Sequence, residues 1–227
     1  MVYLTPILMA ALYGLVMYQF SAWRTARMLD AQSRALQDPQ LEPVFGKLAR
    51  ALDLPQLKVR IFEIETVNGL AAPDGRIFLT RGFYNRFRQG EVSAEEIASV
   101  VAHELGHVAL GHSRRRMVDF TGQNAIRVGL SMVLGRLIPG LGVLLANLLA
   151  SMLGAHLSRS DEYEADAYAA ALMTKAGIGT APQTRLLGKL ERLSGLGGRP
   201  PAWIASHPKS EDRISAIERL DAGWRAR

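Results

Sequence analysis

The stretch His103 to His107 constrains the fold of this chain of 227 residues more than any other. It reads His-Glu-Leu-Gly-His, and two histidines four residues apart lie on one face of a helix, where both imidazoles can reach one metal ion. Glu104 points towards the same cleft and can take a proton from a water molecule that the metal activates. The pattern predicts a helical metal site that carries its own general base.

The residues around the motif favour a helix that is buried on one side. Ser93 to Glu96 has the sequence of a capping box, which starts a helix just ahead of the motif. Apolar residues then recur at helical spacing: Ile97, Val100, Val101, Leu105 and Val108. Buried histidines beside a buried glutamate are costly unless a metal organises them. These flanks disfavour the alternative of two surface histidines on an ordinary amphipathic helix.

The composition restricts which side chains could bind a metal ion and which partners the protein could have. The chain contains no cysteine, so a zinc ion must be bound by histidine and carboxylate side chains. The formal net charge is +6, but the arginines are scattered and no platform of aromatic and basic residues accompanies them. We therefore expect no nucleic-acid partner, and a basic surface near anionic membrane lipid explains the charge more easily.

The N-terminal stretch predicts a membrane anchor. Met1 to Trp23 contains no charged side chain, and Val2 to Phe20 is almost wholly apolar, which is close to the minimum for a membrane-spanning helix. A buried core helix is the alternative, which Pro6 and the tyrosines weaken. Arginines follow the stretch and none precedes it, so the positive-inside rule places residues 24–227 on the cytoplasmic side of a bacterial inner membrane.

Helices and then a small sheet are predicted between the anchor and the motif. Ser21 to Leu52 has helical spacing, interrupted near Asp38-Pro39. Leu57 to Glu65 alternates as a strand does, and Asn68 to Thr80 has strand-forming residues on both arms of a turn. The edge of this sheet could pair with an extended peptide substrate, although a hairpin that merely closes the core fits the residues equally well.

Two features after the motif leave alternatives open. His112 follows His107 by five residues, and on a continuous helix it lies about 140° round, so we do not expect it to share the metal. Residues 128–157 are strongly apolar, which fits either a second membrane hairpin or a buried pair of helices in a soluble domain.

An acidic pair further along the chain can complete the metal site. Glu162 and Asp166 are four residues apart on a helix predicted to open at Ser158. Such a pair is usually a solvated surface. Zinc in a cysteine-free catalytic site nevertheless needs a third ligand, commonly glutamate, and a second carboxylate suits a partner for a ligand histidine.

Four stretches, in this order, resemble the HtpX and CAAX-prenyl-protease family of zinc metallopeptidases. They are Asn68 to Gly82, His103 to His107, Ser158 to Asp166, and His207-Pro208 with Arg213. The resemblance implies an α+β, mainly helical fold of the zincin (gluzincin) type with a small β-sheet, behind the hydrophobic N-terminal helix. Its substrates would be peptides, or unfolded and membrane proteins in membrane-protein quality control.

The resemblance also implies roles for particular residues of this zinc metalloendopeptidase. By this resemblance, one Zn²⁺ per chain is bound by His103, His107 and Glu162. Asp166 accompanies Glu162 as a residue that supports the ligands without binding the metal. Glu104 is the general base. Two further residues match family positions thought to lie by the substrate carbonyl and to support the charge formed there: His207 and Arg213.

Two other functions fit parts of the sequence. A membrane-anchored binding or scaffold protein with a structural zinc site is one, but an intact Glu104 disfavours it because a structural site needs no base. A prenyl-protein protease is the other, and this chain looks too short to build the large intramembrane chamber that such an enzyme requires.

Overall fold

The computed structural model of the protein describes residues 4–72, 74–112, 115, 127–128, 130–139, 141–194 and 210–226. This part of the chain is mainly helical with one small mixed sheet, which confirms the α+β class. The elements in chain order are α1 (Leu4–Ala31), β1 (Ser33–Ala35), α2 (Glu42–Ala51), β2 (Val59–Phe62), β3 (Gly69–Ala71), β4 (Ile77–Thr80), α3 (Arg81–Arg88), α4 (Ala94–Ala109), α5 (Gly142–Lys175), α6 (Ala181–Ser194) and α7 (Ser210–Arg225).

The sheet has the strand order β1-β2-β4-β3. The strands β3 and β4 form the predicted antiparallel hairpin, whereas β2 and β4 run parallel. Strand β1 was not predicted, because the helical spacing of Ser21 to Leu52 is interrupted only near Asp38-Pro39, which follows β1. Its three residues are too few to show an alternating pattern, and they are extended because Arg34 pairs with Ile61 of β2.

Helix α4 lies at the centre of the fold and contacts α2, α5, α6, β3 and β4. The predicted capping box is present: the Ser93 hydroxyl accepts from the Glu96 backbone N–H, and the Glu96 carboxylate accepts from the Ser93 backbone N–H. Ile97 and Val101 are fully buried, so α4 places its apolar residues in the core and carries the motif at its C-terminal end.

Helix α5 is longer than the sequence indicates, since it begins at Gly142 and not at Ser158. No proline interrupts the 34 residues between its ends. Its first half exposes large apolar side chains, among them Leu144 and Met152, whereas its second half buries residues such as Met173 in the core. The motif that contains Glu162 therefore lies in the half of this long helix that packs in the core.

In the described part of the chain no helix is both long enough and apolar enough to cross a membrane. Leu4–Ala31 does form a helix, but the membrane-spanning anchor predicted for Met1 to Trp23 is not supported. Several residues of the range 128–157 lie outside the described part, so insertion of that range stays a prediction.

A buried carboxylate ties α2 to α3. Asp38 precedes α2, and its side chain is 2% exposed. It accepts hydrogen bonds from the Gln40 backbone N–H at 2.8 Å, the Tyr84 hydroxyl at 2.6 Å and the Arg88 guanidinium at 3.2 Å. Burial alone would raise the pKa of Asp38, but these bonds outweigh it and lower the pKa below the ordinary value of 3.8.

We predict that Asp38→Asn lowers the free energy of unfolding at pH 7 by about 1–3 kcal/mol, because a buried ionised acceptor is lost. A carboxyl with a lowered folded pKa contributes stability above its unfolded pKa and loses it as the pH falls through the folded value. Urea unfolding should therefore show the gap between variant and wild type narrowing as the pH is lowered below 3.8. Asp53→Asn, at an exposed turn position, is the control and should be nearly neutral at both pH values.

Candidate metal centre

Three buried side chains from two helices converge at the end of α4. His103 Nε2 lies 3.1 Å from His107 Nε2 and 3.4 Å from Glu162 Oε2, and His107 Nε2 lies 3.5 Å from Glu162 Oε1. Their exposed fractions are 3%, 8% and 0%. Among the described residues this is the one group of histidine and carboxylate atoms close enough to bind a metal ion.

The spacing of these atoms fits zinc. In a tetrahedral site with ligand distances of about 2.1 Å, the ligand atoms lie roughly 3.4 Å from one another. The three separations here are 3.1, 3.4 and 3.5 Å. Two imidazoles and one carboxylate are also a donor set that zinc prefers when no thiolate is available.

The third candidate ligand, Glu162, lies beside the two histidines because α4 and α5 approach closely. A Cβ atom at Gly106 would lie only 3.0 Å from the Ala165 carbonyl oxygen and 3.3 Å from Tyr168 Cβ. A larger side chain there would push α5 away from α4 and move Glu162 from the histidines. The glycine inside the motif therefore serves the close packing of the two helices.

Asp166, one turn after Glu162, orients one of the histidines. Its Oδ1 lies 3.0 Å from His103 Nδ1, so the other ring nitrogen of His103 faces the metal-binding position. The Gln183 amide of α6 donates to the same carboxylate at 3.3 Å. A lone glutamine gives no sequence signal, and sequence reasoning missed it.

Arg213 of α7 holds Asp166 from the other side. Its Nε donates to Asp166 Oδ2 at 2.6 Å and its Nη2 to Oδ1 at 2.8 Å, while Nη1 lies 3.7 Å from Glu162 Oε2. The side chain is 2% exposed. The structure thus places Arg213 behind the ligands as a partner of Asp166. Its predicted contact with the substrate carbonyl stays a prediction, and so does that of His207, which lies outside the described residues.

These contacts set the protonation of the group. Burial alone would lower the pKa of His103, but its hydrogen bonds to Asp166 and Glu162 outweigh this and raise it to about 9. Burial would likewise raise the pKa of Asp166, whereas the bonds from Arg213 and His103 hold it well below its usual range. Asp166 is therefore ionised at neutral pH, and a metal ion at His103 has to displace a proton.

Glu104 lies on the same helix, next to the edge of the sheet. It is 3% exposed, and a Cβ atom built on Gly69 of β3 would lie 3.4 Å from its Oε1. The same position is 2.5 Å from Val100 Cγ1, so only glycine fits between β3 and α4 here. The predicted general base thus lies beside the backbone of the edge strand.

A helix with two histidines around a glutamate, and a glutamate from a second helix, define a metallopeptidase of the His-Glu-x-x-His class. The comparison with known families agrees: peptidase family M48 matches residues 35–221, which is most of the chain. The chain therefore belongs to peptidase family M48, whose members are in general zinc-dependent, and the predicted metalloendopeptidase activity is confirmed. This favours the peptidase over the alternative of a scaffold with a structural zinc site.

Three curated relatives are similar to it. Metalloprotease LoiP of Escherichia coli (strain K12) is 29% identical over 185 residues, which cover 81% of this chain and 70% of that protein. Metalloprotease YcaL of the same organism is 31% identical over 184 residues, covering 78% and 69%. A putative beta-barrel assembly-enhancing protease of Vibrio cholerae is 27% identical over 203 residues, covering 83% of this chain but 41% of that protein.

We predict that Asp166→Asn weakens both the fold and the metal site. The buried Arg213 guanidinium loses its carboxylate, which costs about 3 kcal/mol or more in the free energy of unfolding. Zinc affinity should fall about 10- to 100-fold, because His103 loses its charged acceptor and the neutral amide oxygen of asparagine accepts a weaker hydrogen bond. Denaturant unfolding and chelator competition measure the two effects.

The double variant Asp166→Asn/Arg213→Met separates these effects. It removes the orphaned charge, so part of the lost stability should return while the zinc affinity stays weak. An Asp166→Asn protein that binds zinc as tightly as wild type would contradict the role of Asp166.

Proposed function

We propose that this protein hydrolyses peptide bonds with one zinc ion bound by His103, His107 and Glu162, in a zincin-like domain of the gluzincin type. The observation that carries the proposal is the convergence of the three side chains, whose nitrogen and oxygen atoms lie 3.1, 3.4 and 3.5 Å from one another. When bound, zinc supplies a Lewis acid that activates water and polarises the substrate carbonyl. With three protein ligands one position stays open, which is typical of catalytic zinc sites.

Glu104 is the proposed proton carrier. It follows His103 directly on α4 and is buried beside β3, which supports a role in taking the proton of the attacking water. The same carboxyl then gives the proton to the leaving amine, so that one residue serves both steps. The side chain of Glu104 is buried, which keeps bulk water away from this exchange. His207 is proposed to support the oxyanion, on the strength of the family resemblance alone.

The backbone of β3 offers a way to hold the substrate. The Thr80 N–H donates to the Asn68 carbonyl and the Ala72 N–H to the Arg76 carbonyl across the hairpin. Because antiparallel bonding alternates along a strand, the residues that bond to β4 are Asn68, Leu70 and Ala72, and the backbone groups of Gly69 and Ala71 point away from β4. In the described part of the chain no strand pairs with that side of β3.

Gly69 and Ala71 are the residues whose backbone groups face this open edge. We propose that an extended substrate segment pairs with them, which brings its backbone past Glu104. A folded domain cannot present such a segment, so the preferred substrates are unfolded or misassembled proteins. The similarity to a relative named as a beta-barrel assembly-enhancing protease supports this substrate class.

Glu104→Gln tests the general base. The amide cannot accept a proton, so peptide cleavage should fall about 10²-fold or more while zinc remains bound at one ion per chain. Glu162→Gln should instead lose zinc, since a charged ligand is removed. Glu95→Gln, at an exposed position in the first turn of the same helix, is the control and should change neither zinc content nor kcat. Full activity of Glu104→Gln would mean that another base operates.

Ala71→Pro tests substrate pairing at the edge strand. Proline removes the outward N–H without removing a bond to β4, so KM for an extended peptide should rise several-fold with zinc content unchanged. Ala71→Val keeps the N–H and serves as the control. Equal KM values for the two variants would exclude backbone pairing at this position.

A further inference from the structure

A third histidine, His112, contacts His107 on the side of the ring that faces away from the candidate metal site. The sequence places His112 about 140° from His107 on a continuous helix, but α4 ends at Ala109. Gly111 then adopts a φ of 67°, which reverses the chain and returns His112 towards the helix. His112 is 1% exposed, and its Nδ1 lies 2.8 Å from His107 Nδ1.

The geometry determines which nitrogen carries each proton. His107 Nε2 faces His103 and Glu162, so as a metal ligand it has to be unprotonated. The neutral ring then carries its proton on Nδ1 and donates it to His112 Nδ1, which has to be an acceptor. His112 in turn carries its own proton on Nε2.

Two carboxylates on α5 lie near this Nε2–H, and the nearer one can accept a hydrogen bond from it. His112 Nε2 lies 3.4 Å from Glu164 Oε2 and 3.9 Å from Asp161 Oδ1. The Arg115 guanidinium contacts both carboxylates, at 3.0 Å and 3.4 Å, and so holds them in place. Within the described part of the chain these are the charged groups that face the outer side of His112.

We propose that His112 is a positioning residue: it fixes the tautomer and the ring orientation of His107 by accepting its Nδ1–H, and is itself oriented by Glu164. This rests on the proposed role of His107 as a zinc ligand. The two ligand histidines are then oriented differently. On the side away from the metal-binding position, His103 Nδ1 faces the carboxylate of Asp166, whereas His107 Nδ1 faces a second imidazole, whose own Nε2 faces Glu164.

Zinc affinity of the purified full-length protein, measured by competition with a chelator, tests this role. His112→Leu removes the acceptor and should weaken zinc binding about 10- to 100-fold. His112→Asn keeps an acceptor oxygen near the position of Nδ1 and should retain most of the affinity. Leu110→Asn, at an exposed position of the same turn, is the control. Equal affinity of His112→Leu and wild type, or an Asn variant as weak as Leu, would overturn the proposal.

His107→Ala distinguishes failure of this inference from failure of the proposed function. If His107→Ala binds zinc as wild type does, the ligand set itself is wrong. If it loses zinc while His112→Leu keeps it, only the role of His112 falls.

A measurement on the wild type avoids any folding defect of the variants. Imidazole ¹⁵N chemical shifts of the zinc-loaded protein report which ring nitrogen of His112 is protonated. We expect a neutral ring with its proton on Nε2. A proton on Nδ1 of His112 would exclude acceptance from His107 and overturn the proposal, even if His112→Leu does not fold.

Discussion

The site depends on one negative charge that the fold keeps ionised in its interior, the carboxylate of Asp166. An isolated carboxyl that is 2% exposed would take up a proton. Two bonds from Arg213 and one contact with His103 prevent this. The same charge therefore orients a ligand on α4, sits on α5 beside the third ligand and fastens α7 to the core.

The two motif helices divide the work around this charge. α4 supplies the two proposed histidine ligands and the proposed base within one turn and a half, because helical periodicity alone places them together. α5 supplies Glu162, but only because Gly106 lets the helices approach at the distance that a metal site requires. The sheet contributes the third component, since the backbone of β3 at Gly69 lies against Glu104.

Local periodicity explains why much of this was predictable. The predicted spacing of His103 and His107, and of Glu162 and Asp166, requires that each pair lies within one unbroken helix. The histidines lie within α4 and the carboxylates within α5. The position of His112 depends instead on where α4 stops. Spacing cannot show that, because the reversal at Gly111 is a single backbone angle.

Contacts between distant segments were the harder part. The three residues of β1 form a strand through pairing with β2. Arg213 contacts Asp166 only when α7 packs against α5. The apolar composition of the first 23 residues predicted a spanning anchor, which the described helices do not support. For β1 and Arg213 the missing information was tertiary.

The docking of α7 has a consequence for the order of events in folding. Arg213 and Asp166 are 47 residues apart, and Asp166 and His103 are 63 apart, so the site is closed by contacts of high sequence separation. Such contacts cost the most loop entropy and form after local helices. A chain in which α4 and α5 have formed but α7 has not docked holds Asp166 without its guanidinium. We therefore expect hydrolytic competence to require the docking of α7, because Arg213 is what keeps the Asp166 carboxylate ionised beside His103.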